Sequence, residues 1–378
     1  MISCGEPSGD LYAGALASEI LRLEPDAAIS GFGSERLRAA GASIVRDFKG
    51  VSVTGLTEAL RVIPRSWQNY RALLRAADAE RPDVFVPIDF PDFNFFLARA
   101  MHKRGVPVVY YISPQLWAWR RGRLKTMRRV ADRVLVIFPF EAPFYEAAGV
   151  PVTFVGHPLL ELTSPPQPRE TFLRAHGLDP SKPVVAMLPG SRRNELHAIL
   201  PDLVRTAEAI AARVPGTQFV LARAPHLSDE LFGPLSSWPT GVARPVLVEG
   251  VTDDVLASAD VAIVASGTVT VQAALHGCPM VVVYRLGALT YKIGKPFVHV
   301  DTYAMVNLVA GKKVVPELIQ EDFTPQAAAD AALRVLTDPA HAAAVKQELA
   351  AVRAKLGVAG ASRRAAEAVL EVARAARR

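Results

Sequence analysis

Short apolar runs alternate along this chain with segments whose apolar residues recur at helical spacing. The runs are rich in Val and Ile, and they include residues 84–88, 106–112, 184–189, 261–265 and 280–284. Ala/Leu/Arg-rich segments with helical spacing lie between them, for example 71–80 and 201–214. Short apolar runs predict buried strands, and their alternation with helices predicts parallel sheets covered on both faces.

The length and one proline-rich segment divide the chain. Its 378 residues exceed what one core usually holds, so we expect two domains. Residues 163–168 read TSPPQP and cannot continue a helix, and a second series of strands and helices begins near Pro183. The prediction is an α/β protein with two Rossmann-like domains facing a cleft. They would cover 1–160 and 161–345, with a helical segment 346–378 that packs back on the N-terminal domain.

Composition and charge narrow the possible partners. Half of the residues are hydrophobic and 21% are charged, which excludes a disordered chain. The net charge of +6 favours an anionic partner, which is a nucleotide, a nucleic acid or an acidic lipid surface. Cys4 and Cys278 form no C-x-x-C motif, so we expect reduced thiols in the cytoplasm. The sequence has neither the pattern of a signal peptide nor ~18 successive apolar residues, so membrane contact would be peripheral.

Ligands of open α/β sheets bind at the carboxyl ends of strands, so the loops there are the candidate sites. GEPSGD (5–10) follows the first apolar run and precedes a helix. We expect it to contact a phosphate or sugar, with Ser8 or Asp10 capping the helix. An ordinary strand–helix turn is the alternative. The binding residues predicted in this loop are Glu6, Ser8, Gly9 and Asp10.

Two later loops have the character of phosphate sites. LPGSRRNE (188–195) places Ser191 and Arg192 where a helix begins. The positive charge of an arginine is unfavourable at the positive end of the helix dipole, so its presence there favours a bound anion. ASGT (265–268) turns a strand into a helix through small residues whose N–H groups converge. Gln272 lies one helical turn further on and could reach a ribose hydroxyl. The predicted diphosphate cradle consists of Ser266, Gly267 and Thr268.

The run VFVPIDFPDFNFF (84–96) ends in Asp89 and Asp92, and phenylalanines follow them. A core has no use for unpaired carboxylates, so these acids indicate chemistry. Two other segments, 56–75 and 112–129, combine tryptophan with arginine, which suits a membrane interface or an anionic head group. Amphipathic surface helices are the alternative, and no nucleic-acid-binding motif accompanies them.

Several motifs are missing from the sequence. We find no zinc-ligand spacing, no Walker phosphate loop and no G-x-G-x-x-G after a strand, so we expect no metal site and no cofactor. There is also no D-x-D to hold magnesium on a nucleotide sugar. If a diphosphate leaves here, arginine and helix dipoles must neutralise it.

Together the motifs resemble those of the lipid-A-disaccharide synthases, which are inverting glycosyltransferases of the B-type fold. The resemblance spans about residues 3–330, in the family's order. "SGT" is common to many B-type transferases, whereas "IDFPDFN" and "SPQLWAW" are much more specific. The matching segments are GEPSGD, PDVFVPIDFPDFN, YYISPQLWAWRRGR, FPFEAPFYEAAGVPVTFVGHPL, LPGSRRNE, ASGTVTVQAALHGCPMVVVYR and NLVAGKKVVPELIQ.

The resemblance implies a reaction and a set of residues. UDP-2,3-diacylglucosamine would react with 2,3-diacylglucosamine 1-phosphate (lipid X) to give a β(1→6) disaccharide and UDP. Asp89 would be the base that takes the proton of the acceptor's 6-hydroxyl, with Asp92 as a supporting hydrogen-bond partner or helix cap. The acylated acceptor would lie against the N-terminal half. Further substrate-binding residues implied by the matching motifs are Asn94, Trp117 and Asn307.

The chain departs from the family in its C-terminal half. The family usually has Glu at the position of Gln272 and Pro at the position of Val306, and an ionised acceptor suits a ribose diol better than an amide. Two alternatives therefore stay open: another B-type enzyme acting on UDP-N-acetylglucosamine, as a transferase or 2-epimerase, or a non-catalytic relative. The partners implied are the UDP-activated donor, the acylated acceptor and the anionic cytoplasmic face of the inner membrane, with no nucleic acid; an oligomer is possible.

Overall fold

The computed structural model describes residues 1–49, 56–118, 121–225, 227–286 and 302–377. These residues group into two compact units. Of the described residues, the first unit contains those within 1–161 and 356–377, and the second contains those within 162–286 and 302–355. The predicted C-terminal segment 346–378 is thus divided, because residues up to 355 group with the second unit.

The first unit is built on short parallel strands. Strands β3-β2-β1-β4 form one sheet and β5-β6-β7 another, and the bridges Phe85–Val108 and Ile88–Tyr111 join β4 to β5. Ile2 of β1 lies opposite both Gly31 of β2 and Val86 of β4. The strands are β1 (Ile2–Ser3), β2 (Ser30–Gly33), β3 (Ser43–Asp47), β4 (Val86–Pro87), β5 (Val109–Tyr111), β6 (Arg133–Val136) and β7 (Val152–Phe154).

Helices pack on this sheet, and the last helix of the chain returns to the first. Its start is held by Glu161, whose carboxylate accepts the backbone N–H groups of Gly360 and Ser362. It packs on α1, where small buried residues let the two backbones approach. The helices are α1 (Pro7–Leu23), α2 (Glu35–Ala39), α3 (Leu56–Glu80), α4 (Pro91–Lys103), α5 (Leu124–Val130), α6 (Glu141–Glu146) and α7 (Leu159–Leu162), with Ala361–Ala376 as the final α15.

The second unit has one six-stranded parallel sheet in the order β10-β9-β8-β11-β12-β13. The central strands β8 and β11 are apolar and buried along their whole length, as expected for a sheet covered on both faces. The strands are β8 (Val184–Leu188), β9 (Gln218–Arg223), β10 (Val246–Glu249), β11 (Val261–Ala265), β12 (Met280–Tyr284) and β13 (Glu317–Ile319). The helices are α8 (Arg169–Ala175), α9 (Arg193–Arg213), α10 (Thr252–Ser258), α11 (Thr268–Leu275), α12 (Met305–Ala310), α13 (Pro325–Thr337) and α14 (Pro339–Lys355).

Each unit has the strand order in which ligand sites form. In both sheets the order reads 3-2-1-4 from one edge, so the direction of winding reverses between the first and fourth strands. Helices lie on opposite faces on either side of this point and leave a crevice at the carboxyl ends of the two strands. The loops after β1, β4, β8 and β11 border these two crevices. The prediction of parallel α/β sheets is confirmed, and all four loops singled out in the sequence are at these crevices.

Candidate active site

The backbone around Asp89 is held in an unusual conformation. Asp89 and Phe90 follow β4 with φ angles of 41° and 48°, and the neighbouring Ile112 has φ 54°. Residues with side chains rarely occupy this left-handed region, and each such residue costs about 1–3 kcal/mol. Three of them where β4 and β5 end indicate that the surrounding contacts impose the conformation. Such strain is concentrated at functional sites, which favours Asp89 as a reacting group.

The Asn94 side chain stabilises this turn through hydrogen bonds to its backbone. Its buried amide donates to the carbonyl oxygens of Ser3 (3.2 Å), Ile88 (3.2 Å) and Asp89 (2.8 Å). Its own oxygen accepts the hydroxyl of Ser3 at 2.7 Å. The Asn94 amide is thus used inside the fold, where it positions the backbone of Asp89, and its predicted role in substrate binding stays a prediction.

The GEPSGD loop packs directly against the same turn. A Cβ atom added to Gly5 would lie 2.2–2.5 Å from three atoms of the Phe90 ring. Only glycine fits there, so the loop after β1 and the turn after β4 fix each other's position. Glu6 and Ser8 are partly exposed beside them, while Gly9 is buried with its Cα facing Cys4.

Asp10 has a different role from the one predicted. It is buried and accepts the backbone N–H groups of Ser34 (2.7 Å), Arg36 (2.8 Å) and Leu37 (3.4 Å). It therefore caps the start of α2 from within α1. The prediction that Ser8 or Asp10 caps α1 is wrong, because both lie inside the helix and its N-cap residue is Glu6. Substrate binding by Asp10 would require these three hydrogen bonds to be given up.

Aromatic and neutral groups surround Asp89. The Tyr110 hydroxyl donates to the Asp89 carbonyl oxygen at 2.9 Å. Burial, and then the negative charge of Asp89, raise the pKa values of both Tyr12 and Tyr110, so both phenols stay protonated. His157 lies edge-on to Tyr12, and burial lowers its pKa to about 3, which keeps the imidazole neutral. The partly exposed Asp89 carboxylate is thus within electrostatic range of two phenols, Tyr12 and Tyr110, that stay neutral.

Asp92 and Trp117 both have partners within the first unit, and Asp92 is not the cap of α4. Asp92 is exposed in the first turn of α4 and accepts from the Arg123 guanidinium at 2.7 Å, while Phe90 is the N-cap residue. Trp117 is buried, and its indole N–H donates to Glu141 at 3.2 Å. Its only polar atom is therefore satisfied inside the unit, and the predicted contact of Trp117 with substrate stays a prediction.

At the start of α9, the Glu195 carboxylate already accepts two of the backbone N–H groups. Gly190, with φ 118°, lets the loop approach Glu195, whose carboxylate accepts the N–H groups of Ser191 (2.9 Å) and Arg192 (3.2 Å). The same carboxylate holds the Arg192 guanidinium at 3.2 Å, and that side chain is 34% exposed. The expectation that this loop's backbone N–H groups bind phosphate is therefore corrected for these two groups. Arg192 itself stays a prediction, with Glu195 orienting it.

The loop after β11 is more open. Gly267 and Thr268 are exposed, and no atom of the described residues lies within 4 Å of a Cβ built on Gly267. Ser266 is partly exposed and its hydroxyl approaches the Tyr303 carbonyl oxygen at 3.5 Å. Val264 of β11 lies opposite Leu188 of β8, so this loop borders the loop that carries Arg192. The arrangement suits a phosphate at the N-terminus of α11.

Gln272 and Asn307, two further predicted site residues, form hydrogen bonds with neighbouring residues. The Gln272 amide nitrogen donates to Asp253 at 2.7 Å. Asn307 is buried and bonds the backbone of Val314 and Val315 and the carboxylate of Glu317, so it shapes its own loop. Its contact with substrate stays a prediction. Glu317 belongs to strand β13. The residues that sequence reasoning missed are Glu141, Glu195, Asp253 and His276; only Glu195 had a local signal, the capping-box spacing from Arg192.

The tryptophan and arginine segments are only partly described. On α3, Ile63 and Trp67 are 56% and 59% exposed, and on the adjoining α4 Phe96 is 59% exposed. In the other segment Trp119 and Arg120 lie outside the described residues. Within the described ranges, no helix is long and apolar enough to cross a membrane, and no group of three or more His, Cys, Asp or Glu side chains could hold a metal ion.

Comparison with known proteins agrees with this architecture. A family model described as lipid-A-disaccharide synthetase matches residues 1–372. The chain is 44% identical over 375 residues to the lipid-A-disaccharide synthase of Geobacter metallireducens, covering 98% of this chain and 96% of the relative. It is also 44% identical over 372 residues to that of Geobacter sulfurreducens, with coverage of 98% and 96%.

Solved structures of lower identity share the fold. The UDP-GlcNAc 2-epimerase of Neisseria meningitidis bound to UDP-GlcNAc superposes with a TM-score of 0.67 at 13% identity, covering 98% of both chains. The glycotransferase of kitacinnamycin gives a TM-score of 0.61 at 18% identity, also covering 98% of both. The two parallel-sheet units thus define a protein with the B-type glycosyltransferase fold.

The family match identifies the chain more closely. It belongs to the lipid-A-disaccharide synthase family, a family of hexosyltransferases that act in lipid A disaccharide synthesis. The resemblance inferred from the motifs is confirmed, and the alternative of an enzyme acting on UDP-N-acetylglucosamine is not favoured.

Proposed function

We propose that this enzyme transfers a 2,3-diacylglucosamine unit from UDP to the 6-hydroxyl of lipid X. Asp89 takes the proton of that hydroxyl as its oxygen attacks the anomeric carbon. The bond from this carbon to the diphosphate breaks, and UDP leaves with the electron pair. Attack from the face opposite the leaving group gives the β(1→6) linkage. The observation that carries the proposal is the strained, closely supported turn of Asp89 at the crevice of the first unit.

The second unit supplies the donor site in this proposal. Arg192, oriented by Glu195, and the start of α11 at Ser266, Gly267 and Thr268 bind the diphosphate and neutralise the charge that develops as UDP leaves. Gln272, on the same helix, accepts a ribose hydroxyl. UDP-sugar recognition is consistent with the epimerase whose structure holds UDP-GlcNAc.

The test is UDP release from UDP-2,3-diacylglucosamine in detergent micelles containing EDTA, with and without lipid X. We expect release only when lipid X is present, because the donor's anomeric carbon then has a nucleophile. UDP-N-acetylglucosamine should be a poor donor, since it lacks one acyl chain and carries only a short one. Release that proceeds equally without lipid X would contradict transfer to this acceptor.

The acylated substrates imply a membrane surface, and α3 and α4 offer the residues for peripheral contact. Ile63, Trp67 and Phe96 are exposed apolar side chains on two helices that pack together, and exposed Arg71 and Arg99 accompany them. Apolar side chains enter the interface between head groups and acyl chains while arginine binds anionic head groups. We place this contact on the cytoplasmic face of the inner membrane.

Vesicles with anionic lipid test the contact. Trp67→Ala combined with Phe96→Ala should reduce co-sedimentation with such vesicles several-fold. Val358→Ala is the matched control, because Val358 is also exposed and apolar but lies before α15, away from α3 and α4. If the control lost as much vesicle binding as the double variant, the assignment of the membrane contact to α3 and α4 would be wrong.

A further inference from the structure

A hydrogen-bonded cluster joins α10, α11 and the start of the second unit. Asp253 receives the Gln272 amide nitrogen and the His276 ring nitrogen Nε2 on the same oxygen, each at 2.7 Å. Its other oxygen accepts the backbone N–H of Ser164 at 2.9 Å. The side chains of Asp253 and His276 are only 16% and 9% exposed, so the cluster is largely shielded from water.

The chemistry of the cluster fixes which way the Gln272 amide points. A carboxylate offers only acceptors, so the atom of Gln272 that faces Asp253 has to be the nitrogen. The amide oxygen Oε1 is therefore directed away from Asp253. Burial works to raise the pKa of Asp253, but hydrogen bonds from His276, Gln272 and the Ser164 backbone outweigh it and hold the pKa below its usual value. The carboxylate stays ionised and keeps the amide in this orientation.

We propose that Asp253 is a positioning residue that turns Gln272 into an acceptor for the ribose hydroxyls of the UDP donor. The inference rests on the proposed donor site, because Gln272 lies one turn after Thr268 at the start of α11. A glutamine whose nitrogen is anchored presents an oxygen to a diol, as a glutamate would. The Gln272 amide carries no charge. The negative charge is on Asp253, which is separated from the ribose by Gln272 and one hydrogen bond.

The same contact explains why glutamine occurs here. A glutamate at position 272 would bring a second carboxylate within 2.7 Å of Asp253, measured from the present nitrogen. Two carboxylates at that distance repel, so one would take up a proton or turn away from its place. Amide and carboxylate can exchange positions, however, and preserve both the hydrogen bond and the total charge.

The experiment is a two-residue exchange in the full-length enzyme. The proteins are the wild type, Asp253→Asn, Gln272→Glu and the double variant. In the double variant the new amide nitrogen at position 253 can donate to the new carboxylate at position 272. The new amide oxygen keeps the Ser164 N–H, and His276 can accept a hydrogen bond in its other tautomer. Each protein is assayed for UDP affinity by titration calorimetry, for KM of the donor and kcat, and for its thermal midpoint.

We expect each single variant to weaken UDP binding and raise the donor KM by about 10-fold, since a hydrogen bond with a charged partner is lost or replaced by repulsion. The double variant should return to within about 3-fold of wild type, with kcat nearly unchanged throughout. A merely structural Asp253 would lower the thermal midpoint without separating KM from kcat. Failure of the double variant to recover UDP affinity would overturn the positioning role.

Arg192→Ala separates this inference from the proposed donor site. If Arg192→Ala loses UDP affinity while the four exchange proteins bind UDP equally, the donor site stands and the role of Asp253 falls. If Arg192→Ala and all four proteins bind UDP alike, the donor site itself is misplaced, and the inference falls with it.

Discussion

Replacing Gly5 by alanine tests whether the first loop really sets the position of Asp89. The new methyl group would lie 2.2–2.5 Å from the Phe90 ring, whereas ordinary contact begins near 3.4 Å. The ring or the loop must therefore move by about 1 Å. Overpacking of this size costs about 1–3 kcal/mol. Because Phe90 adjoins Asp89 in the same strained turn, the carboxylate moves with it.

The expected effect on rate is larger than the effect on stability. A misplacement of about 1 Å can cost roughly 10²-fold in rate, so kcat for lipid X-dependent UDP release should fall by about that factor. The thermal midpoint should fall by several degrees. UDP affinity should be unchanged, because the proposed donor site is in the second unit.

Two matched variants make the reasoning testable. Gly233→Ala is the control, because within the described part of the chain no atom lies within 4 Å of a Cβ built there. Phe90→Leu added to Gly5→Ala should recover part of the lost rate, since the smaller side chain removes the clashing ring atoms. Near-wild-type turnover in Gly5→Ala, or a double variant no better than Gly5→Ala, would refute the coupling between the two loops.

Two further substitutions probe the supports of the site. Burial raises the pKa of Glu141 to about 7 from its ordinary 4.5. The buried neutral carboxyl therefore contributes fully to the free energy of unfolding below about pH 4.5, and this contribution is lost as the pH rises through 7. The stability difference between wild type and Glu141→Gln, from chemical denaturation, should therefore shrink by roughly 3 kcal/mol between pH 4.5 and pH 8.5; a constant difference would contradict the burial argument. Asp10→Ala leaves three backbone N–H groups at the start of α2 without their acceptor and should destabilise the first unit by about 2–4 kcal/mol, whereas Asp10→Asn, which keeps one acceptor oxygen, should lose less.

Local patterns in the sequence were sufficient for the sheets and for the loops that border them. Apolar runs such as 184–188 and 261–265 became buried parallel strands, because a strand covered on both faces needs apolar residues at every position. The turn residues that follow such runs then had to lie at the carboxyl edge of the sheet. The identification of the family followed from the order of those loops.

Side-chain partners distant in sequence were not predictable in this way. Asp10 lies 24 residues before Ser34, and Asp253 lies 19 residues before Gln272, so no local spacing announces either contact. The hydrogen bond between the Trp117 indole and the buried Glu141 also joins residues 24 apart in sequence. A polar residue at a strand end therefore predicted which loops lie at the carboxyl edge of a sheet, but not whether that residue's side chain points outward or inward.

The central claim is that Asp89 is the base for transfer to lipid X. The most direct measurement is the single-turnover rate of disaccharide formation by wild type and Asp89→Asn, with UDP affinity measured on both. A positioned base contributes about 10²–10⁴-fold, so the rate should fall by at least 10²-fold while UDP affinity stays the same. A rate within a few-fold of wild type in Asp89→Asn would contradict the account, because proton removal would then depend on another group.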